Sequence, residues 1–128
     1  RLTHEMLDQG RHYPKMDGRN VYRLALTRLP EVTYTTLEKA GVDLADIDLI
    51  IPHQANMRIN QGFQKALKVP EEKMYHNIQR YGNTTAGSIP IALDEALENG
   101  IIGKSSTVLF AGLGAGVTWG ALVYQFED

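Results

Sequence analysis

The sequence contains no cysteine. That absence excludes disulfide bonds, thiolate zinc sites and any thiol nucleophile within these residues. No apolar run approaches the roughly 20 residues that a membrane helix needs. The net charge of −2 at pH 7 gives no overall attraction to nucleic acid or to an anionic membrane. The first five residues lack the hydrophobic region of a signal peptide, so a cytoplasmic protein is the default expectation.

The rest of the composition is that of an ordinary globular domain. The 128 residues are 43% hydrophobic and 22% charged, which suffices for one domain with a buried core. Residues 1–16 have no clear period and are predicted to be a loop or the remnant of an upstream region. Residues 17–128 are predicted to form the domain.

Helical and strand patterns alternate along this domain. Steps of three and four between apolar residues predict helices, and Pro30 is expected to kink or split the first of them. In the last helix Leu97 is expected to face inward and Glu95 outward. The alternation predicts an α/β fold with a mostly parallel sheet, helices on both faces and an antiparallel pair at the end. The predicted helices cover 19–40, a segment after His53 and 84–99, and the predicted strands cover 48–51, 74–77, 106–111 and 117–126.

His53 stands where a hydrophobic strand ends, and ligands of open α/β sheets bind outside the carboxyl ends of the strands. Asn83 lies in a second turn, 81–87, which also leads into a helix. An imidazole Nε2–H and a carboxamide N–H can donate to one carbonyl oxygen and stabilise an enolate without a metal. Taken singly, His53 is better explained as a satisfied loop histidine and Asn83 as a helix N-cap. The functional hypothesis therefore depends on the pair.

The glycine-rich stretch 112–116 has two interpretations. It resembles part of a dinucleotide fingerprint, but a strand rather than a helix follows it, which argues against nucleotide binding. The favoured interpretation is a turn that needs positive φ. The alternative is a backbone that approaches a substrate closely and directs N–H groups at an oxyanion.

A basic stripe follows His53 along the predicted helix. Arg58, Gln61, Lys65 and Lys68 recur there at steps of three and four. Such a stripe is usually a solvated helix face, and the functional alternative is a docking surface for an acidic partner. Arg58 lies five residues after His53, so docking is favoured for Arg58 more than for Lys65 or Lys68.

Three motifs together resemble the carboxy-terminal half of β-ketoacyl-acyl-carrier-protein synthase III. They are IIPHQANMRI at 50–59, RYGNTTAGSIPIALDEA at 80–96 and GLGAGVTWG at 112–120. The resemblance extends from about Asp17 to Phe126. It implies one half of a thiolase-like fold, a five-stranded mixed sheet with helices on both faces. It also implies a Cys-His-Asn triad that condenses an acyl group on cysteine with a decarboxylating malonyl thioester.

The resemblance assigns roles by motif position. His53 and Asn83 would hold the malonyl thioester carbonyl, and a lowered pKa of His53 is expected because the donor is a neutral imidazole. The other residues would bind substrate or carrier protein: Asn56 the CoA or pantetheine arm, Leu113 the acyl pocket, Gly114 and Ala115 the oxyanion, and Arg58, Lys65 and Lys68 the acidic carrier.

The missing cysteine is the main departure from the family pattern. The 128 residues alone are predicted not to catalyse the condensation, which would make them a truncated or proteolytic fragment of a longer enzyme. The expected partners are acyl carrier protein, acyl-CoA, the amino-terminal half and a second copy in a homodimer, with no cofactor, metal, nucleic acid or membrane. The alternative is a non-catalytic module of the same fold that binds carrier protein.

Overall fold

The computed structural model describes residues 2–13 and 15–127. Its core is a small mixed sheet between helices. Three 3-10 turns, Leu44–Asp46, Glu71–Lys73 and Thr85–Gly87, connect the longer elements. The helices and strands in chain order are α1 (His4–Asp8), α2 (Gly18–Ala40), β1 (Leu49–Pro52), α3 (Met57–Leu67), α4 (Ile78–Tyr81), α5 (Ser88–Glu98), β2 (Thr107–Gly114) and β3 (Thr118–Gln125).

The sheet has the strand order β1-β2-β3. β1 and β2 are parallel, with Leu49 opposite Val108, and β2 and β3 are antiparallel, with Thr107 opposite Gln125. The predicted closing hairpin is confirmed. The five-stranded expectation is wrong for the described residues, which form three strands. The strand predicted at 74–77 is reduced to one parallel bridge between Met74 and Ile50, in a short stretch between a 3-10 turn that ends at Lys73 and α4, which begins at Ile78.

Alternating side chains of the strands bury two hydrophobic clusters, one on each face of the sheet. Ile50 and Leu109 point towards α2 and α3, where they pack with Phe63. Leu49 and Ile51 point the other way and pack with α5. The prediction of helices on both faces is therefore confirmed.

Helix α2 is continuous through Pro30, so the predicted split does not occur. Asp17 caps its start by accepting from the backbone N of Asn20, and Gly41 ends it with a φ of 66°. The residues buried on its inner face are Ala25, Leu29, Thr33 and Leu37. Tyr22 and Ala40, near the two ends of the helix, are exposed.

Several predicted boundaries are corrected. A short helix, α1, lies within the segment predicted as a loop, but none of its residues is buried. The last helix begins at Ser88 rather than 84, because a 3-10 turn precedes it. Leu97 is 40% exposed rather than inward. On β3, Leu122 and Tyr124 are also exposed, at 57% and 48%.

Candidate active site

His53 directly follows β1 and extends its pairing with β2. Its backbone N donates to the carbonyl of Ala111 at 2.7 Å, so the residue is fixed at the carboxyl end of two parallel strands. Its Nδ1 lies 2.6 Å from the hydroxyl of Ser88, the first residue of α5. The ring is half-buried, and this burial lowers the pKa of His53 below its ordinary value of 6.5. The direction of the expected pKa shift is thus found.

Gln54 is a buried polar hub beside His53, with 1% of its surface exposed. Its Nε2 donates to the carbonyls of Pro52 and Tyr75 at 2.8 and 3.2 Å. Its Oε1 accepts from Asn60 Nδ2 and from the backbone N of Asn77 at 3.2 and 3.3 Å. All four hydrogen-bonding positions of this amide are used. Gln54 therefore fixes the exit of β1 to α3 and to the segment before α4.

Asn83 is exposed in the segment between α4 and α5. Its Oδ1 accepts from the backbone N of Thr85 at 2.9 Å, an Asx turn rather than the cap of a long helix. Thr85 adopts a φ of 53°, which is strained for a β-branched residue. This bond occupies the amide oxygen, and within 2–13 and 15–127 the Nδ2 group has no protein partner. The carboxamide N–H is therefore available to a ligand.

Asn83 belongs to the segment that leads into Ser88, and Ser88 contacts His53. Asn83 is five residues before Ser88 in the chain, and Ser88 contacts the ring of His53. The two predicted donors thus belong to segments that meet at the carboxyl end of β1.

Glu95 anchors the segment that leads to Asn83. Its carboxylate accepts from Arg80 Nη2 at 2.7 and 2.8 Å, from Tyr81 Oη at 2.7 Å and from Asn77 Nδ2 at 2.7 Å. These bonds, that from Arg80 foremost, lower the pKa of Glu95 from 4.5 to about 2. The prediction that Glu95 faces outward is wrong: its side chain is 16% exposed and lies under segment 75–81.

The glycine-rich stretch begins inside β2 rather than forming the turn itself. Gly112 and Gly114 belong to β2, and the chain reverses at 115–117. A Cβ at Gly112 would lie 3.6 Å from the Cβ of His53, so this glycine packs against the histidine. Leu113 instead packs against the cluster beneath α2 and α3. Gly114 and Ala115 are exposed beyond it.

The predicted docking residues lie on the surface. Arg58, Lys65 and Lys68 are all exposed along α3 and its C-cap. Asn56 is the N-cap of α3 and accepts from the backbone N of Arg58 at 2.9 Å. Its amide oxygen therefore has a structural role, and its position at the start of α3 is close in sequence to His53.

Within residues 2–13 and 15–127, no group of three or more potential ligands could hold a metal ion. His76 is half-buried, and burial lowers its pKa although Glu71 opposes the shift. Among the described helices, none has the length and apolarity to cross a membrane.

Comparison with known families agrees with this arrangement. Residues 37–126 match the family model of the 3-oxoacyl-[acyl-carrier-protein (ACP)] synthase III C terminal. The chain belongs to this family. The match includes the strand end with His53, the Asx turn of Asn83 and the closing hairpin.

Individual synthase III proteins align over most of the chain. The β-ketoacyl-[acyl-carrier-protein] synthase III of Microcystis aeruginosa is 42% identical over 95% of this chain and 37% of its own length. The crystal structure of the Aquifex aeolicus 3-oxoacyl-[acyl-carrier-protein] synthase III has a TM-score of 0.87 at 44% identity, over 89% of this chain and 37% of that one. The Thermus thermophilus structure gives 0.86 at 42% identity, over 88% and 35%. The chain therefore spans little more than a third of these relatives.

Sequence reasoning missed three residues that organise the site. Gln54 and Ser88 lie inside quoted motifs, but the contacts that tie them to distant segments join residues 21 to 35 positions apart and leave no periodic signal. Glu95 is predicted to be exposed because helical periodicity identifies only the face of the helix that packs on the sheet. It does not show that a second segment covers another face. The cluster of donors at 75–81 was the signal that could have indicated a buried acceptor.

Proposed function

We propose that this chain is the carboxy-terminal part of an acyltransferase that performs a decarboxylative Claisen condensation in fatty acid biosynthesis. Its substrates are an acyl-CoA primer and a malonyl thioester on acyl carrier protein. The bond between the malonyl carboxylate and its α-carbon breaks, CO₂ leaves, and the electron pair forms a thioester enolate. The α-carbon then attacks an acyl-cysteine thioester, a carbon–carbon bond forms, and the cysteine leaves as thiolate.

The observation that supports this proposal is a pair of donor groups that have no partner in the described part of the chain, on segments that meet at the carboxyl end of β1. The Nδ1 of His53 is engaged by Ser88, which leaves Nε2 for a ligand. The amide oxygen of Asn83 is engaged by Thr85, which leaves its N–H groups. Two donors aimed at one thioester oxygen stabilise the enolate charge as it develops. The thioester carbonyl is the electron sink, so the reaction needs no redox cofactor or metal.

The rest of the proposed site follows the family motif. The nucleophilic cysteine comes from outside these residues, which contain none. Asn56 contacts the CoA or pantetheine arm, Gly114 and Ala115 contribute backbone to the oxyanion hole, and Leu113 borders the acyl pocket. The complete enzyme is proposed to be a cytoplasmic homodimer.

The test uses the full-length protein and measures decarboxylation of a malonyl thioester. His53→Ala and Asn83→Ala are each expected to reduce the rate about 10²- to 10³-fold, the usual loss for one such donor. His76→Gln is the matched control, because this histidine is also half-buried but has no proposed role. Unchanged rates in both alanine variants would refute the assignment.

We further propose that the basic stripe Arg58, Lys65 and Lys68 docks the acidic carrier protein. The support is three exposed cations along α3 and its C-cap, and α3 begins four residues after His53. Arg58→Glu is expected to weaken carrier-protein binding, and more strongly at low salt because screening is weaker there. Lys104→Glu makes the same change in charge just before β2. This position lies at the amino ends of the parallel strands, opposite the end that holds His53, so the affinity for carrier protein is expected to stay unchanged. Equal losses in the two variants would remove Arg58 from the interface.

A further inference from the structure

The hydroxyl of Ser88 contacts two groups at the exit of β1. It lies 2.6 Å from His53 Nδ1 and 3.1 Å from the backbone N of Gln54. Ser88 is 2% exposed and Gln54 is 1% exposed, so solvent does not compete for either contact. The hydrogen bonds of this hydroxyl are therefore determined by the protein.

Only one placement of the hydrogens gives every one of these three groups a hydrogen-bond partner. The backbone N–H of Gln54 can only donate, so it occupies one lone pair of the Ser88 oxygen. The hydroxyl proton then needs an acceptor, and within the described part of the chain His53 Nδ1 is the acceptor in contact with it. If Nδ1 carried a hydrogen, the hydroxyl would accept twice and its own proton would remain buried without a partner, which is unfavourable.

We propose that Ser88 is a positioning residue that holds neutral His53 in the tautomer with its hydrogen on Nε2. The hydroxyl donates to Nδ1, so the ring must present Nε2–H on its other side. The bond also restricts rotation of the ring, because Ser88 is the first residue of α5 and His53 is held by Ala111. Its importance for decarboxylation rests on the proposed function, whereas the tautomer itself does not.

The same short segment then controls both donors. Asn83 presents its amide N–H because its oxygen is held by Thr85, and Ser88 orients the ring of His53. The entry to α5 thus supplies one donor and sets the proton position of the other.

The decisive measurement is the ¹⁵N NMR spectrum of the histidine rings in the full-length protein, above the pKa of His53. His53→Gln identifies the His53 signals by subtraction. Wild-type protein is expected to show a protonated Nε2 and an unprotonated, hydrogen-bonded Nδ1. A protonated Nδ1 in the wild type would overturn the proposal without any variant.

Two substitutions at Ser88 then separate its hydroxyl from its size. Ser88→Ala is expected to move the Nδ1 signal towards that of an acceptor without a bond, and Ser88→Thr, which keeps a hydroxyl, to restore it. In the decarboxylation assay Ser88→Ala should lower kcat about 10- to 100-fold, as loss of a group that orients a histidine typically does, with KM changed much less. Thr33→Val removes another buried hydroxyl and should change neither readout.

The outcomes distinguish this inference from the proposed function. An Nδ1 signal that is the same in wild type and Ser88→Ala would overturn the role of Ser88, whatever the rate. A changed Nδ1 signal with an unchanged rate would support the role of Ser88 and instead contradict the proposed role of His53.

Discussion

Replacing Glu95 by glutamine is expected to loosen the segment that carries Asn83. The carboxylate accepts hydrogen bonds from Asn77, Arg80 and Tyr81, so it fixes three residues that precede Asn83. Glutamine has a similar shape, but it loses the charge that pairs with Arg80. Its amide NH₂ also replaces one of the two accepting oxygens.

The magnitude follows from the shifted pKa. The lowering of the Glu95 pKa from 4.5 to about 2 corresponds to roughly 3 kcal/mol at about 1.4 kcal/mol per unit. The Arg80 side chain is 50% exposed, so solvent screens the pair and about 1 kcal/mol is the better expectation. That loss is roughly a fivefold change in an opening equilibrium.

The pH dependence has a definite sign. Because folding lowers the pKa of Glu95, its contribution is present in full above the unfolded value of 4.5 and is lost as the pH falls towards about 2. The difference between wild type and Glu95→Gln should therefore be constant at neutral pH and shrink in this acidic window.

Amide hydrogen exchange across residues 75–83 measures this local opening. Exchange in Glu95→Gln should be roughly fivefold faster than in wild type at about pH 6, with a smaller ratio at about pH 3. Glu98→Gln is the control, since Glu98 is exposed on the same helix. Equal exchange in wild type and Glu95→Gln, or a ratio that does not shrink in acid, would refute the reasoning.

Three further outcomes are expected. Phe63→Ala removes a fully buried ring and should lower the free energy of unfolding by about 3–5 kcal/mol in urea titrations, whereas Gln61→Ala on the exposed face should change it by less than about 0.5 kcal/mol. Thr33→Val should raise the unfolding free energy by about 1 kcal/mol, because the buried Thr33 hydroxyl has no partner among residues 2–13 and 15–127; a loss of similar size would contradict this. The NMR titration midpoint of His53 should lie below 6.5, so protonation should destabilise the fold as the pH falls below that value; a midpoint above 6.5 would contradict the effect of burial.

Local patterns were sufficient for the elements that position His53. The apolar run before it forms a fully buried strand, and the closing hairpin follows from two strand-like runs separated by glycines. The predictions that fail are those in which a local preference is opposed by packing against other parts of the fold. Pro30 does not break α2, whose inner face is held by buried Leu29 and Thr33, and tertiary packing of this kind overrides a local breaker.

The organisation around the histidine could not be derived from periodicity. Ser88 reaches His53 across 35 positions, and nothing in a helical pattern distinguishes a serine that caps from one that contacts a side chain. Glu95 was misassigned for a related reason: one flank of α5 faces segment 75–81 rather than solvent. Polar contacts between distant segments become visible only when the fold brings the segments together.

The exposed outer side of β3 has a practical consequence. In the described part of the chain β3 pairs with β2 alone, and its Leu122 and Tyr124 are uncovered. An unpaired strand edge beside exposed apolar side chains is a template on which other copies can add strands. A recombinant preparation of these 128 residues by themselves is therefore expected to precipitate on concentration, and Leu122→Lys is the substitution expected to improve its yield.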